Sequence, residues 1–382
     1  MSTNKRIFYA CQGVAITNMG DDAPTTAAMV HGLQSVGMTT NFNLEQAFEL
    51  GQLEIYENIE GTPDVEVTME KVLDGYPLIY HLATTGIGAA GSKLMANRSK
   101  QRADLRLGIF DEGANNIATA SGDATHTGNA EVEVYCSGMY VSSISYSLPT
   151  DGNSTESVTL VGNEKRWLTG TDVKITNGDV QEFDGEDSPA ASGNGGVQRR
   201  EDVDLSVCIL PVGIQGVNGT AAGNGWNDTA KEPRVHLQSV SISTDFSREE
   251  VLELGRRNPY YRPANFPIEV TCEIEAITTS GDFISAYELG DPALYSDPVT
   301  SGNNTGEETI YFQTKSGYGF DLGTKNRLSS ISYGGGDAGG GNATSTYSYA
   351  NFNDLDVQHS GASNSLADKQ FFLTDLGLGA NT

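Results

Sequence analysis

Along two stretches of the chain apolar and polar residues alternate strictly. Val65, Val67 and Met69 are interleaved with Glu66, Thr68 and Glu70, and Ile268, Val270, Cys272 and Ile274 with Glu269, Thr271, Glu273 and Glu275. A period of two with a largely β-branched apolar set predicts a strand with one buried face and one acidic, solvated face. LQSVGMTTNF (33–42) and LQSVSISTDF (237–246) are strand-like as well, and each runs into a helical signal. Asn43 with Gln46, and Ser247 with Glu250, have capping-box spacing, and Gly51 and Gly255 stand where a helix C-terminus takes a positive φ. GYPLIYHL from Gly75 and GDFISAYEL from Gly281 predict a second short helix, helped in the first case by Pro77 in its opening turn. SSISYS (142–147) and ESVTLVG (156–162), joined by turn-rich residues, predict a hairpin. The class is mainly β and antiparallel, a sandwich or open barrel with one or two short helices per domain.

These signals come in pairs because the chain repeats itself. Residues 33–56 and 237–260 share 11 identities in 24 aligned positions. The match continues, after a one-residue gap, as VEVTME (65–70) against IEVTCE (268–273), and SSISY recurs at 142–146 and 329–333. CQGVAI from Cys11 loosely matches CILPVGI from Cys208, and the hairpin turn of the first part becomes GGGDAGGGNATS from Gly334 in the second. Four blocks in one order imply two homologous domains. The stretch 179–200 loses apolar periodicity and has linker composition, so the domains are read as 1–178 and 201–382 with a linker at 179–200.

Composition sharpens this. Glycine is 45 of 382 residues, above the usual level, while charged residues are only 19%, which fits turns between many short strands and not a disordered chain. With 50 Asp+Glu against 23 Lys+Arg the formal charge is −27, a surface that repels phosphates and anionic headgroups. A nucleic-acid reader working by charge is not the expectation. The N-terminal residues lack a secretory signal pattern and no run of 18 apolar residues occurs, so the expectation is a protein made in the cytoplasm that does not span a membrane.

Candidate chemistry is sparse. Cys11, Cys136, Cys208 and Cys272 are far apart and read as buried thiols, not as a zinc site or disulfide framework. Gly86-Ile-Gly-Ala-Ala-Gly91 has GxGxxG spacing, but no βαβ units follow and the second domain lacks the glycines, so a flexible loop is the plainer reading. Asp184-Gly-Glu-Asp187 reads as solvated linker, and His31 and His236, at equivalent places in the two copies, as structural. No residue constellation supports a catalytic, metal or cofactor site, and the expectation is a protein that is not an enzyme.

In the order strand, short helix, acidic strand, LDGYPLIYHLA, then GMYVSSISYSLPTDGNSTESVTLVGNEKRW, the chain resembles the major tail tube proteins of tailed bacteriophages. The resemblance implies β-sandwich-like domains whose inner sheets join into one barrel around a pore, six domains to a ring, with rings stacked into a tube. A duplicated domain implies a homotrimer giving a pseudo-hexameric ring. It also implies a virion location in the tail, a conduit for DNA ejection, and as partners other copies of the chain, the tape measure, tail terminator and baseplate proteins, and genomic DNA in passing. Two other readings stay open. One is another ring-forming tail component, such as a sheath or distal baseplate ring. The other is a carbohydrate-binding β-sandwich adhesin, suggested by Trp226, Tyr260 and Tyr261.

Within that picture Glu66, Glu70, Glu269 and Glu273 are candidates to line the lumen, the alternative being that their face meets outer solvent. The loop Gly86 to Arg102 is the candidate stacking element, with Lys93, Arg98, Lys100 and Arg102 meeting acidic surface on the adjacent ring, and Gly334 to Thr344 forms a second long loop.

Overall fold

A computed structural model describes residues 12–20, 29–84, 95–110, 130–175, 196–205, 235–278, 308–335 and 342–359, with isolated positions at 7, 115–116, 125–126, 208–211, 214 and 284. The first half of the chain runs β1 (Gln12–Asn18), β2 (Leu33–Asn41), β3 (Leu44–Phe48), β4 (Ile55–Glu60), β5 (Asp64–Val72), α1 (Ile79–Thr84), α2 (Met95–Arg98), β6 (Ala103–Ile109), β7 (Asn115–Asn116), β8 (Thr125–His126), β9 (Val132–Pro149), β10 (Thr155–Gly162) and β11 (Glu164–Thr169). The second half runs β12 (Val235–Asp245), β13 (Glu269–Thr278), β14 (Tyr311–Gln313), β15 (Tyr318–Asp321), β16 (Arg327–Gly334), β17 (Thr344–Phe352) and β18 (Asp356–His359). The fold is mainly β, as expected. Cys136, Cys208 and Cys272 are free and buried; the Gly86–Gly91 motif, Asp184–Asp187, Trp226 and residues 179–195 of the expected linker lie outside the described residues.

The main sheet is a path of antiparallel strands in the order β16-β17-β13-β12-β9-β10-β5-β2. It passes from one half of the chain to the other without a break, because β12 pairs with β9 over Ser239↔Pro149 to Asp245↔Ser143. The long strand β9 serves two layers. Its C-terminal part joins this sheet, and its N-terminal part pairs with β6 and β11, with β1 beyond β6. In the second half the same duties fall to two shorter strands: β15 pairs with β14 and β18, while β16 pairs with β17. Ile209 bridges to Tyr311 of β14 as β1 pairs with β6.

The halves also share irregularities. Both β2 and β12 slip register on their partners at a glutamine, between Leu33 and Ser35 and between Leu237 and Ser239. Gln34 donates back to the Gly32 carbonyl at 3.2 Å and Gln238 to that of His236 at 3.4 Å. Register fixes which side chains reach the core, so shared bulges keep the same faces buried in both halves.

Pairing corrects the sequence alignment of the acidic strands by two residues. Val36 faces Met69, and its counterpart Val240 faces Ile274, so β5 residue 69 corresponds to 274 and not to Cys272. A two-residue slide preserves the face, which is why the alternation stays legible.

The helices expected after β2 and β12 do not form. Residues 44–48 are β3, paired with β4, and after β12 the chain is an extended excursion closed by the bridge Val251↔Tyr261. Asn43 and Ser247 have φ of 47° and 44°, and their N–H groups donate to the side chains of Asn41 and Asp245 at 3.2 and 2.7 Å. That is an Asx turn, which uses the residue types of an N-cap to reverse the chain instead. Gly51 and Gly255 do take positive φ, 93° and 85°, at the loop tips.

The helix expected after Gly75 is present as α1. Its first N–H groups have no partner within the helix, and Glu156 of β10 takes them: Ile79 at 2.7 Å and Tyr80 at 3.1 Å. The hydroxyl of Tyr146 on β9 donates to the same carboxylate at 3.1 Å. All of these groups are buried, with Val67, Met69, Ile144, Val158 and Leu160 in one core cluster that extends through Ile242, Ile274 and Tyr347 of the second half.

Candidate assembly surface

Because side chains alternate along every strand, the main sheet has one face on the core and one open. Glu66 and Glu70 of β5 and Glu269 and Glu273 of β13 lie on the open face, all exposed. The structure therefore brings the four predicted carboxylates onto one surface, and adds Glu275 of the same alternating strand. Around them stand Ser and Thr. Glu66 is opposite Thr39 and Val161, Glu70 opposite Ser35 and Ser157, Glu273 opposite Ser241 and Ser348. Ser239 donates to Glu275 at 3.2 Å. None of these four carboxylates directly faces another, so the strands carry concentrated charge without the penalty of opposed like charges. Arg327 stands on the same face at one end, opposite Ala350.

The cations expected to form a stacking loop are placed differently from one another. Lys93 lies outside the described residues and Lys100 is exposed. Arg98 is turned inward: it is buried, donates to Thr84 Oγ1 at 3.2 Å and lies over the Tyr80 ring at 5.3 Å. Arg102 donates to the Tyr140 hydroxyl at 2.6 Å. It also lines an open cleft of about 480 Å³ with Arg256, Tyr260 and Tyr261. The Thr84 hydroxyl and the Tyr80 face offset part of the cost of burying this guanidinium, whose Nε has no hydrogen-bond partner among the described residues.

Other loops carry the exposed apolar surface. Leu50 and Leu53, between β3 and β4, and Leu254, at the matching tip after β12, are fully exposed, and Phe48 and Leu252 are more than half exposed. Four antiparallel steps separate β2 from β12 in the sheet, so the two strands point the same way and the two loops leave the same end. They touch there: Arg257 pairs with Glu60 at 3.3 Å, and Thr62 donates to the Arg257 carbonyl at 2.5 Å. The repeated ELG at 49–51 and 253–255 marks these tips, its glycines taking positive φ at a loop turn and not at a helix end.

The sheet's two terminal strands, β2 and β16, have a strand partner on one side only among the described residues. An unpaired edge offers its N–H and C=O groups to another strand. Near both edges the apolar residues are open: Phe42 is 59% and Tyr333 64% exposed.

Among the described residues no group of three or more His, Cys, Asp or Glu converges as metal ligands do, and no helix is long and apolar enough to cross a membrane.

No family model and no curated protein matches this chain. Among solved structures, it is similar to the cap of the anti-feeding prophage, the AFP tube terminating cap, at 14% identity and a TM-score of 0.30, over 44% of this chain and 95% of that one.

Proposed function

We propose that this chain is a structural component of a phage tail, and specifically a tube protein: three chains close into a pseudo-hexameric ring, rings stack into a tube, and the carboxylate face lines the lumen. The observation that carries the reading is the unbroken sheet through both halves, joined at β9 and β12 and ending in β2 and β16. The two halves, with their shared strand order and bulges, are read as copies of one duplicated domain. In that case β2 is the counterpart of β12, and β16 of the sheet-forming part of β9. A head-to-tail contact between equivalent edges forms a ring if the rotation closes and removes the free edges altogether.

In a closed barrel the core face of the sheet looks outward to the second layer, and the open face lines the channel. Serines, threonines and carboxylates there suit a conduit for DNA. The duplex carries one negative charge per about 1.7 Å, and a basic wall would hold it. Three chains of −27 bring a formal −81 to each ring, screened beyond about 10 Å at 0.1 M salt. Partners are other copies of the chain along the tube, the tape measure within it, and terminator and baseplate proteins at its ends.

A second reading, another ring-forming tail component, rests on the same sheet and differs in whether rings stack indefinitely. Negative-stain images and native mass of the purified protein separate the cases. Rings of three chains in long stacks support the tube, single rings support a terminal or baseplate ring, and monomers overturn both.

A further inference from the structure

The junction inside the chain is a template for the junction between chains. Resting on the ring reading above, we infer that β2 of one chain pairs antiparallel with β16 of the next, with Thr39 opposite Ser332, and that Phe42 and Tyr333 are the groups this contact buries.

The register follows from two offsets. LQSV at 33–36 and 237–240 sets residues of β12 204 positions after those of β2, and SSISY at 142–146 and 329–333 sets β16 187 positions after β9. The offsets hold in the pairing as well as in the sequence. Gln34 and Gln238 are skipped alike against β5 and β13, and β16 slips between Leu328 and Ser330 where β9 slips between Val141 and Ser143. Inside the chain Ile242 faces Tyr146, Ser243 faces Ser145 and Thr244 faces Ile144. Carried to the free edges, Met38 faces Tyr333, Thr39 faces Ser332 and Thr40 faces Ile331. The N–H of Phe246 donates to Ser142 O at 2.8 Å, which becomes Phe42 to Ser329.

Burial supports the same match independently. Phe246 is 0% and Tyr146 1% exposed at the closed junction, against 59% for Phe42 and 64% for Tyr333 at the open edges. Val240, Ile242, Val141 and Ile144 are buried, whereas their counterparts Val36, Met38, Leu328 and Ile331 are only partly so. Each edge thus exposes half of a core whose other half lies on the opposite edge, and a second copy of this chain supplies it.

The two junctions differ at one place. Arg248 lies over the rings of Tyr140 and Phe246, at 4.9 and 5.4 Å, and donates to the carbonyl of Val141 at 2.9 Å. At the edges these positions are Leu44 for Arg248 and Arg327 for Tyr140. The contact between chains therefore lacks the partly buried guanidinium of the internal one and relies on apolar closure around Phe42.

The test uses the full chain carrying Thr39→Cys with Ser332→Cys, oxidised or bridged with a short bis-methanethiosulfonate, and Asn41→Cys with Ser332→Cys as the register slipped by two. Cys136, Cys208 and Cys272 are buried, and each single variant controls for the remaining thiol. The first pair should yield covalent trimers on non-reducing gels, and the slipped pair at least tenfold less. If rings of three form but the slipped pair, or neither pair, is joined, the register is overturned and the ring reading stands. If the first pair joins chains into open ladders beyond three, the edge contact stands and the closed trimer falls. Phe42→Asp should leave circular dichroism and the unfolding midpoint of the monomer unchanged while abolishing rings. Normal rings from this variant would overturn the role given to Phe42.

Discussion

Arg262, at the end of the excursion after β12, forms ion pairs with Asp64 at the head of β5 and with Glu250 on its own loop. With Arg257, which pairs with Glu60, it holds the second half to the first outside the sheet, and only 9% of it is exposed, against 43% and 34% for its partners. Arg262→Met keeps the stem and leaves two nearby carboxylates without their shared cation. Because both acids can rehydrate, the expected loss is about 1–2 kcal/mol and not the larger penalty of a stranded buried charge. A urea midpoint that falls at low salt and partly recovers in 1 M NaCl, where screening shortens to about 3 Å, checks this. An unchanged midpoint at low salt would show that the pair contributes nothing.

Glu156 gives a pH dependence of defined sign. Burial pushes its carboxyl above the ordinary range, against the pull of Lys71 and of the Ile79 and Tyr80 N–H groups. A carboxyl whose folded pKa is raised binds more protons in the folded state, so its contribution is full below the unfolded pKa near 4.5 and is lost as pH rises through the folded value. The stability difference between the native chain and Glu156→Gln should therefore shift in favour of the variant as pH rises through that window. Gln keeps one acceptor oxygen but turns its NH2 toward a donor that the second carboxylate oxygen accepts from; that loss does not depend on pH, so it offsets the two curves and the titration is read from their difference in slope. Parallel stability curves for the two proteins across pH 4 to 8 would remove Glu156 as their source.

Leu50, Leu53 and Leu254 carry apolar surface that the folded chain does not use, at one end of the sheet where a stacked ring would meet it. Replacing all three with Ser should leave the monomer's stability within about 0.5 kcal/mol, since fully exposed side chains contribute little to it. Rings should still close, because these tips lie away from both sheet edges, but stacks should shorten or vanish in micrographs. Tubes of native length from this variant would assign the stacking contact elsewhere.

How far the sequence carries is plain from particular residues. Val65 to Glu70 announced a half-buried strand because period two is a local signal, and the β9–β10 hairpin was legible for the same reason. Asn43 and Ser247 misled because one residue type serves N-caps and Asx turns, and the choice depends on a positive φ that composition does not state. Inward placement of Arg98 and the two-residue slip of β13 arise from packing and pairing across the sheet, which no local window contains. The β9–β12 junction joins residues about 100 apart in sequence, and only the repeat gave any sign that such strands could be neighbours.

The charge of the open face can be reversed without touching the core. Glu66, Glu70, Glu269 and Glu273 are exposed and point away from the buried rows of β5 and β13, so four lysines there should cost little stability. In a ring of three chains the change replaces 12 negative charges with 12 positive ones, a net shift of +24. If this face lines the conduit, particles assembled with the variant should contain normal tubes and eject DNA more slowly. The delay should grow as salt falls from about 0.15 M to 0.01 M, because the Debye length rises from about 8 to 30 Å and every phosphate passing the wall is held more strongly. A face turned to outer solvent would make no such distinction. Ejection at the native rate in low salt from intact particles would therefore place the carboxylates outside the lumen and leave their row without this purpose.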